Sequence, residues 1–305
     1  MKRICGLSLY VFLAWAGISG LSSHAWAQAP DATLPDNPVP ADASFSGASF
    51  NDASSADALP PASSADDSGA PARQTPESPN EREATWKTLP GNFLHDQKDI
   101  WLFPTQLARG HHWVPVLAVS GITAGLIIAD PHVMPYFRNH AKNLDKLNDG
   151  FDPMITTAEV ILVPGALMTA GYIRHDQRTV SSALLCAQAY ADSAVVNLAI
   201  KAITRRERPT DVPPGGDFHN TFFNGGKSPF HGSSFPSGHS TGAFSVATVV
   251  ATRYQRHRWV PYLAYGMATV VGLSRITTAA HFPSDVFLGA AMGYSIARFQ
   301  TLRPQ

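Results

Sequence analysis

The sequence predicts an all-α fold, a compact bundle of about six core helices with its functional site at helix ends, preceded by a disordered tether. Three observations lead there. Beyond Trp86 the chain carries six apolar segments of helical length with little strand-like alternation. Gly289, Met292 and Gly293 recur at the i, i+3, i+4 spacing of one helical face. Residues 28–84, by contrast, hold almost no large apolar side chain beyond Phe45 and Phe50.

Taken in order, Met1-Lys2-Arg3, an apolar run from Ile4 to Gly20 and the small-x-small triplet Ala25-Trp26-Ala27 read as a signal peptide over 1–27, cleaved ahead of Gln28. The run is shorter than the roughly 20 residues of a spanning helix, which favours cleavage over a retained anchor. A mature chain would keep one cysteine, Cys186, so no internal disulfide is available. Residues 28–84 are rich in Ala, Pro, Ser and Asp and hold ten acidic side chains against two basic ones. Such a segment buries too little surface to offset its ordering entropy, and reads as a disordered linker. From Thr85 onward, 19 basic residues face 13 acidic ones. That mild surplus suits an anionic substrate and is too small to indicate nucleic-acid binding.

The helical domain is expected over 85–305, with core segments near 113–130, 155–174, 181–204, 237–253, 259–274 and 284–299. The short piece 92–108 reads as an interfacial helix or a packing arm. Trp113 to Ala129 and Trp259 to Ser274 are uncharged but sit at the short limit for crossing a bilayer. Topology adds a conflict. With a cleaved signal and six crossings, the basic stretch 201–209 falls in the cytoplasm, whereas the basic connections Arg174–Arg178 and Arg253–Arg258 would place it outside. A bundle that is periplasmic, free or resting on the outer face of the membrane, removes the contradiction, and that is the expected location.

The chemistry concentrates between Lys201 and Asp285. If the third core helix runs to the residue before Pro209, then Lys201, Arg205 and Arg208 share one face and form a candidate anion clamp. The same residues would also serve as a solvated basic helix end. Next, Phe235-Pro236-Ser237-Gly238-His239-Ser240 opens an apolar run, so backbone N–H groups at a helix start offer a phosphate site. An ordinary helix start reads identically. Finally, Ser274-Arg275 precedes His281 and Asp285, with Pro283 opening the last helix. A carboxylate near an imidazole fixes its tautomer, and a capping Asp beside a structural histidine would look the same.

Together, Lys-x6-Arg-Pro, Pro-Ser-Gly-His and Ser-Arg-x5-His-x3-Asp, in this order, resemble the signature of the type 2 phosphatidate phosphatase and vanadium haloperoxidase superfamily. Every named position matches, and the resemblance covers roughly residues 110–300. It implies that His281 attacks phosphorus to form a phosphohistidine, that Asp285 orients it, and that His239 protonates the leaving alkoxide. Lys201, Arg208 and Arg275 would hold the phosphate oxygens, with Ser237 and the Gly238 N–H adding hydrogen bonds. Arg205 and Arg206 stay without a role.

No cofactor is expected. His111, His112, His132 and His140 lack zinc-ligand spacing, and no Walker-type loop or Gly-x-Ser-x-Gly elbow is present. The expected partner is a phosphorylated lipid or a small phosphomonoester, with membrane association and without nucleic acid. Phe218, Phe222, Phe223 and Phe230, in the connection between the first two motifs, are candidates for acyl-chain contact or for loop packing. The motif leaves open a vanadium-dependent haloperoxidase and a non-catalytic envelope-binding protein.

Overall fold

The computed structural model of the chain describes residues 81–140, 153–224 and 233–304. The expected signal peptide over 1–27, the expected linker up to residue 80 and Phe230 lie outside the described residues. Among the described residues every regular element is helical: α1 (Leu89–Ala108), α2 (Trp113–His140), α3 (Pro153–Ile173), α4 (Gln177–Thr204), α5 (Gly238–Arg253), α6 (Trp259–Thr277) and α7 (Pro283–Ile296), which continues into a π turn, Ala297–Thr301. All six expected core segments are therefore helices, and 92–108 lies inside α1.

Local chemistry sets most of the boundaries. Asp176 caps α4, accepting the Arg178 N–H at 3.0 Å and the Thr179 hydroxyl at 2.6 Å. Ser237 caps α5, and Pro283 opens α7 with Asp285 in its first turn. The end of α4 departs from expectation. The helix stops at Thr204, and Arg205 takes a left-handed conformation with φ 43°. Tertiary contacts end it: the Phe223 N–H bonds to the Thr204 carbonyl at 3.0 Å, and the Glu207 N–H to the Thr221 carbonyl at 2.8 Å. Lys201, Arg205 and Arg208 consequently do not share a helical face; Arg205 is exposed and Arg206 turns into the core.

α5 is the axis of the bundle. Every residue from Ser240 to Val249 is buried, and α4, α6 and α7 pack around it. Glycines permit this approach. A Cβ at Gly289 would meet the Ser237 carbonyl oxygen, and one at Gly293 would run into the Thr241 backbone. The polar backbone at the start of α5 is thus drawn tightly against α7.

At the opposite end, the chain enters through a short arm. Arg253 pairs with Glu81 and Glu83, each at 2.9 Å, Arg178 pairs with Glu81 at 3.2 Å, and Arg82 pairs with Asp96 at 2.9 Å. The Ala84 N–H bonds to the Ser181 hydroxyl at 2.8 Å. Residues 81–84, which composition groups with the linker, are therefore held against α4 and α5.

Because the Thr241 backbone cannot yield, Gly293→Ala should lose about 1–3 kcal/mol of stability. Gly266 on α6 faces open space. Gly266→Ala should be neutral or gain up to about 1 kcal/mol from helix propensity. Thermal unfolding of both purified variants beside wild type checks the contrast.

Candidate active site

Three connections converge at the end of the bundle where α4 and α6 finish and α5 and α7 begin: 205–209, 233–237 and 278–282. Backbone hydrogen bonds join them. The Ser234 N–H bonds to the Arg206 carbonyl at 2.8 Å, and the Ser237 N–H to the Asp285 carbonyl at 2.9 Å. The His281 N–H bonds to the Arg275 carbonyl at 3.0 Å. Lys201 adds a side-chain tie, its Nζ donating to the Ser233 carbonyl at 2.7 Å.

His281 lies at the centre, 4% exposed. Its Nδ1 is 2.8 Å from the Ser234 carbonyl oxygen. A carbonyl only accepts, so Nδ1 carries the proton and the neutral ring keeps its lone pair on Nε2. The Asp285 Oδ2 stands farther from Nδ1, at 3.5 Å, and accepts the Phe282 N–H at 2.8 Å. Asp285 is therefore the more distant of the two partners, and the backbone carbonyl sets the tautomer. Burial holds the His281 pKa below the ordinary histidine value; Asp285 opposes that shift, and the positive charges of Lys201 and Arg208 reinforce it.

The structure brings most of the expected residues to this point. Lys201 and Arg208, both half-buried, lie close enough to act on His281. Arg208 Nε is buried with no hydrogen-bond partner among the described residues. Arg275 is 1% exposed, its Nε donating to the Ser274 hydroxyl at 3.1 Å. Ser237 is fully buried; its N–H is already committed to Asp285, and its hydroxyl receives the Ser240 hydroxyl at 3.2 Å. Gly238 and His239, half-buried, follow it in the first turn of α5, where backbone N–H groups have no intrahelical acceptor.

Sequence reasoning gave no role to four other residues that the fold places here. Arg206, 1% exposed, reaches Asp285 at 2.6 Å, Ser284 at 2.7 Å and Asp130 at 2.8 Å. The Ser234 carbonyl was equally invisible. A usable signal existed for Asp130, a lone carboxylate ending the uncharged run of α2, because such a residue demands a partner. Among the loop aromatics, Phe218 is buried in a cluster with Phe282, Met134, Val212 and Ala279, and Phe222 covers the Arg206 guanidinium at 4.5 Å. Both serve packing; Phe223 is 69% exposed.

A buried imidazole with cations around it at the ends of a helical bundle is the arrangement that the described residues present. Residues 182–304 match the PAP2 superfamily, which is what this part of the chain is similar to. The chain is 43% identical over 61 residues to a lipid A 1-phosphatase of Porphyromonas gingivalis, covering 20% of this chain and 14% of that protein. It is 38% identical over 99 residues to a lipid A 1-phosphatase of Rhizobium etli, covering 32% of this chain and 40% of that one. The chain thus spans two fifths or less of the length of these curated relatives. A crystal structure of a transmembrane PAP2 type phosphatidylglycerolphosphate phosphatase from Bacillus subtilis aligns at 20% identity with a TM-score of 0.36, covering 67% of this chain and 92% of that one.

The lowered pKa fixes a titration. We expect the His281 ring to protonate below 6.5, the ordinary value, so that it is neutral at pH 7. Nitrogen-15 histidine NMR of the purified protein, with the His281 signal identified by its loss in His281→Ala, measures the midpoint; one at or above 6.5 contradicts the burial argument.

Proposed function

We propose that this protein is a metal-independent phosphatase that hydrolyses lipid phosphomonoesters through a phosphohistidine on His281. The observation that carries the reading is the Nδ1–H of His281 held by the Ser234 carbonyl, with Lys201 and Arg208 near enough to act on the ring. In the first step the Nε2 lone pair forms a bond to phosphorus while the P–O bond to the lipid breaks. His239 donates its proton to the departing alkoxide. In the second step water attacks phosphorus, the P–N bond breaks and His239 takes the water's proton. Lys201, Arg208 and Arg275 neutralise the non-bridging oxygens in both steps, with Ser237 and the Gly238 N–H completing the cradle.

A lipid substrate is supported by the relatives, which are lipid A 1-phosphatases, and by the surface. Leu117, Ile128, Ile161, Leu162, Leu263 and Met267 are exposed on α2, α3 and α6. Among the described residues, Trp113–His140 and Gln177–Thr204 are long and apolar enough to cross a bilayer. Trp113 and Trp259 are exposed where α2 and α6 start, as an interfacial aromatic belt would have them. The basic connections Arg174–Arg178 and Arg253–Arg258 lie at the end opposite the site, which supports a site on the exported face of the membrane.

That orientation has a consequence for the N-terminus. Glu81 pairs with Arg178 and Arg253, so it too lies at the end away from the site. A crossing bundle with its site outside puts Glu81 inside, which is incompatible with removal of residues 1–27 as an export signal. A bundle resting on the exported face requires that removal. We favour the crossing arrangement, and N-terminal sequencing of the protein purified from membranes should return the sequence from Met1 or Lys2. A start at Gln28 would instead restore the peripheral bundle.

For activity, wild type and His281→Ala are assayed in chelator with phosphatidate in micelles and with a soluble phosphomonoester. We expect wild type to release phosphate, phosphatidate to be preferred, and His281→Ala to lose at least about a thousandfold in kcat. Retained turnover in the variant overturns the phosphohistidine. Halide oxidation dependent on added vanadate, without phosphate release, overturns the phosphatase.

A further inference from the structure

We propose that Arg206 is a positioning residue for the His281 nucleophile, holding the Ser234 carbonyl through its backbone and the Asp285 carboxylate through its guanidinium. The inference rests on the phosphatase reading and identifies what holds that reading's nucleophile in place.

His281 Nδ1 faces two groups, the Ser234 carbonyl at 2.8 Å and Asp285 Oδ2 at 3.5 Å. They come from connections far apart in sequence, yet both are tied to the same residue. The Arg206 carbonyl accepts the Ser234 N–H at 2.8 Å, and the Arg206 N–H donates to the Ser233 hydroxyl at 3.2 Å. The peptide that presents the Ser234 carbonyl is thereby held from two sides. The guanidinium fixes the other partner, Nη1 donating to Asp285 Oδ1 at 2.6 Å and to the Ser284 hydroxyl at 2.7 Å. Its remaining donors are anchored independently: Nη2 on Asp130 Oδ2 at 2.8 Å and Nε on the Thr221 hydroxyl at 3.1 Å.

Rotation of that plane is blocked as well. The guanidinium carbon lies 3.8 Å from the centroid of the Phe282 ring and 4.5 Å from that of Phe222. Phe282 is the residue after His281, and its N–H bonds to Asp285. A planar fork satisfies these constraints at once, and a lysine ammonium on a flexible stem does not. Arg206 donates to Asp285 and does not contact His281, so its effect is on orientation and should fall on turnover more than on substrate binding.

The test compares wild type with Arg206→Lys, full length in detergent, by phosphatidate kinetics and by nitrogen-15 histidine NMR. Expected are a kcat at least 30-fold lower, a KM within about threefold, and a His281 signal that moves from one Nδ1–H tautomer to a mixture. A folded Arg206→Lys with wild-type kcat and an unchanged tautomer overturns the proposal. Should Arg206→Lys fail to fold, Ser284→Ala decides, since it removes one guanidinium partner and leaves every charge. A three- to tenfold fall in kcat with KM unchanged supports the role, and an unaltered kcat removes it. If wild type releases no phosphate, the phosphatase reading fails alone, and the tautomer measurement still decides whether Arg206 orients His281.

Discussion

A single arginine shared by two buried carboxylates governs this end of the molecule. Arg206, Asp130 and Asp285 are 1%, 0% and 0% exposed, and the contacts of 2.6 and 2.8 Å leave no room for solvent between them. Taking three charges out of water is costly, and good geometry is what repays it; deleting one partner of such a group typically costs about 3–5 kcal/mol. The triad therefore dictates which parts of the chain meet. α2 must deliver Asp130, the turn after α4 must deliver Arg206, and α7 must begin where Asp285 can reach it. The ends of these helices are brought together by the same contacts that surround His281, so the site and the fold cannot be varied independently.

The sequence carried much of this, and the gaps have physical causes. Apolar segments of helical length were enough to find all six core helices, because burial length is a property of the segment itself. The start of α7 was equally legible: Pro283 at its first position and Asp285 in its first turn are local capping chemistry. The end of α4 was not, because Thr221 and Phe223 end it from a distance in sequence. Arg205, Arg206 and Arg208 lie within four positions, and composition cannot say which one turns inward. Ser234 acts through a carbonyl that every residue possesses. Glu81-Arg82-Glu83 reads as a solvated charge run, and its role emerges only once Arg253, Arg178 and Asp96 are in place.

α4 shows how the bundle relates to its surroundings. Ser181, Ser182, Gln188, Asp192, Ser193 and Asn197 are buried on it, while Val195, Leu198 and Ile203 are exposed. The polar residues satisfy one another or neighbouring helices: Gln188 reaches Asp96 at 2.7 Å, Asn197 reaches Thr241 at 3.0 Å and Thr301 reaches Asp192 at 3.1 Å. A helix that buries its polar residues beside Leu184 and Leu185 while exposing apolar side chains fits the logic of a lipid environment, where polar groups must find partners within the protein. The glycine contacts between α5 and α7 fit the same logic, since close backbone approach replaces the hydrophobic drive that water would supply.

Burial is unevenly distributed across the site, as the proposed reaction would require. The attacking nitrogen must keep one tautomer and one direction, and His281 is correspondingly buried with its Nδ1 on a peptide carbonyl. The groups proposed to meet the substrate differ in access: Lys201, Arg208, Gly238 and His239 are half-buried, whereas Arg275 and Ser237 are 1% and 0% exposed. Phe218 packs edge-on against Phe282 and Phe222 covers the Arg206 guanidinium, so both brace the surroundings of His281. The exposed Phe223 follows directly on the Thr221–Phe222 pair that steadies Arg206. Under the proposed function, a substrate contact at Phe223 would be one residue away from the support of Arg206, so the two would be coupled through one loop.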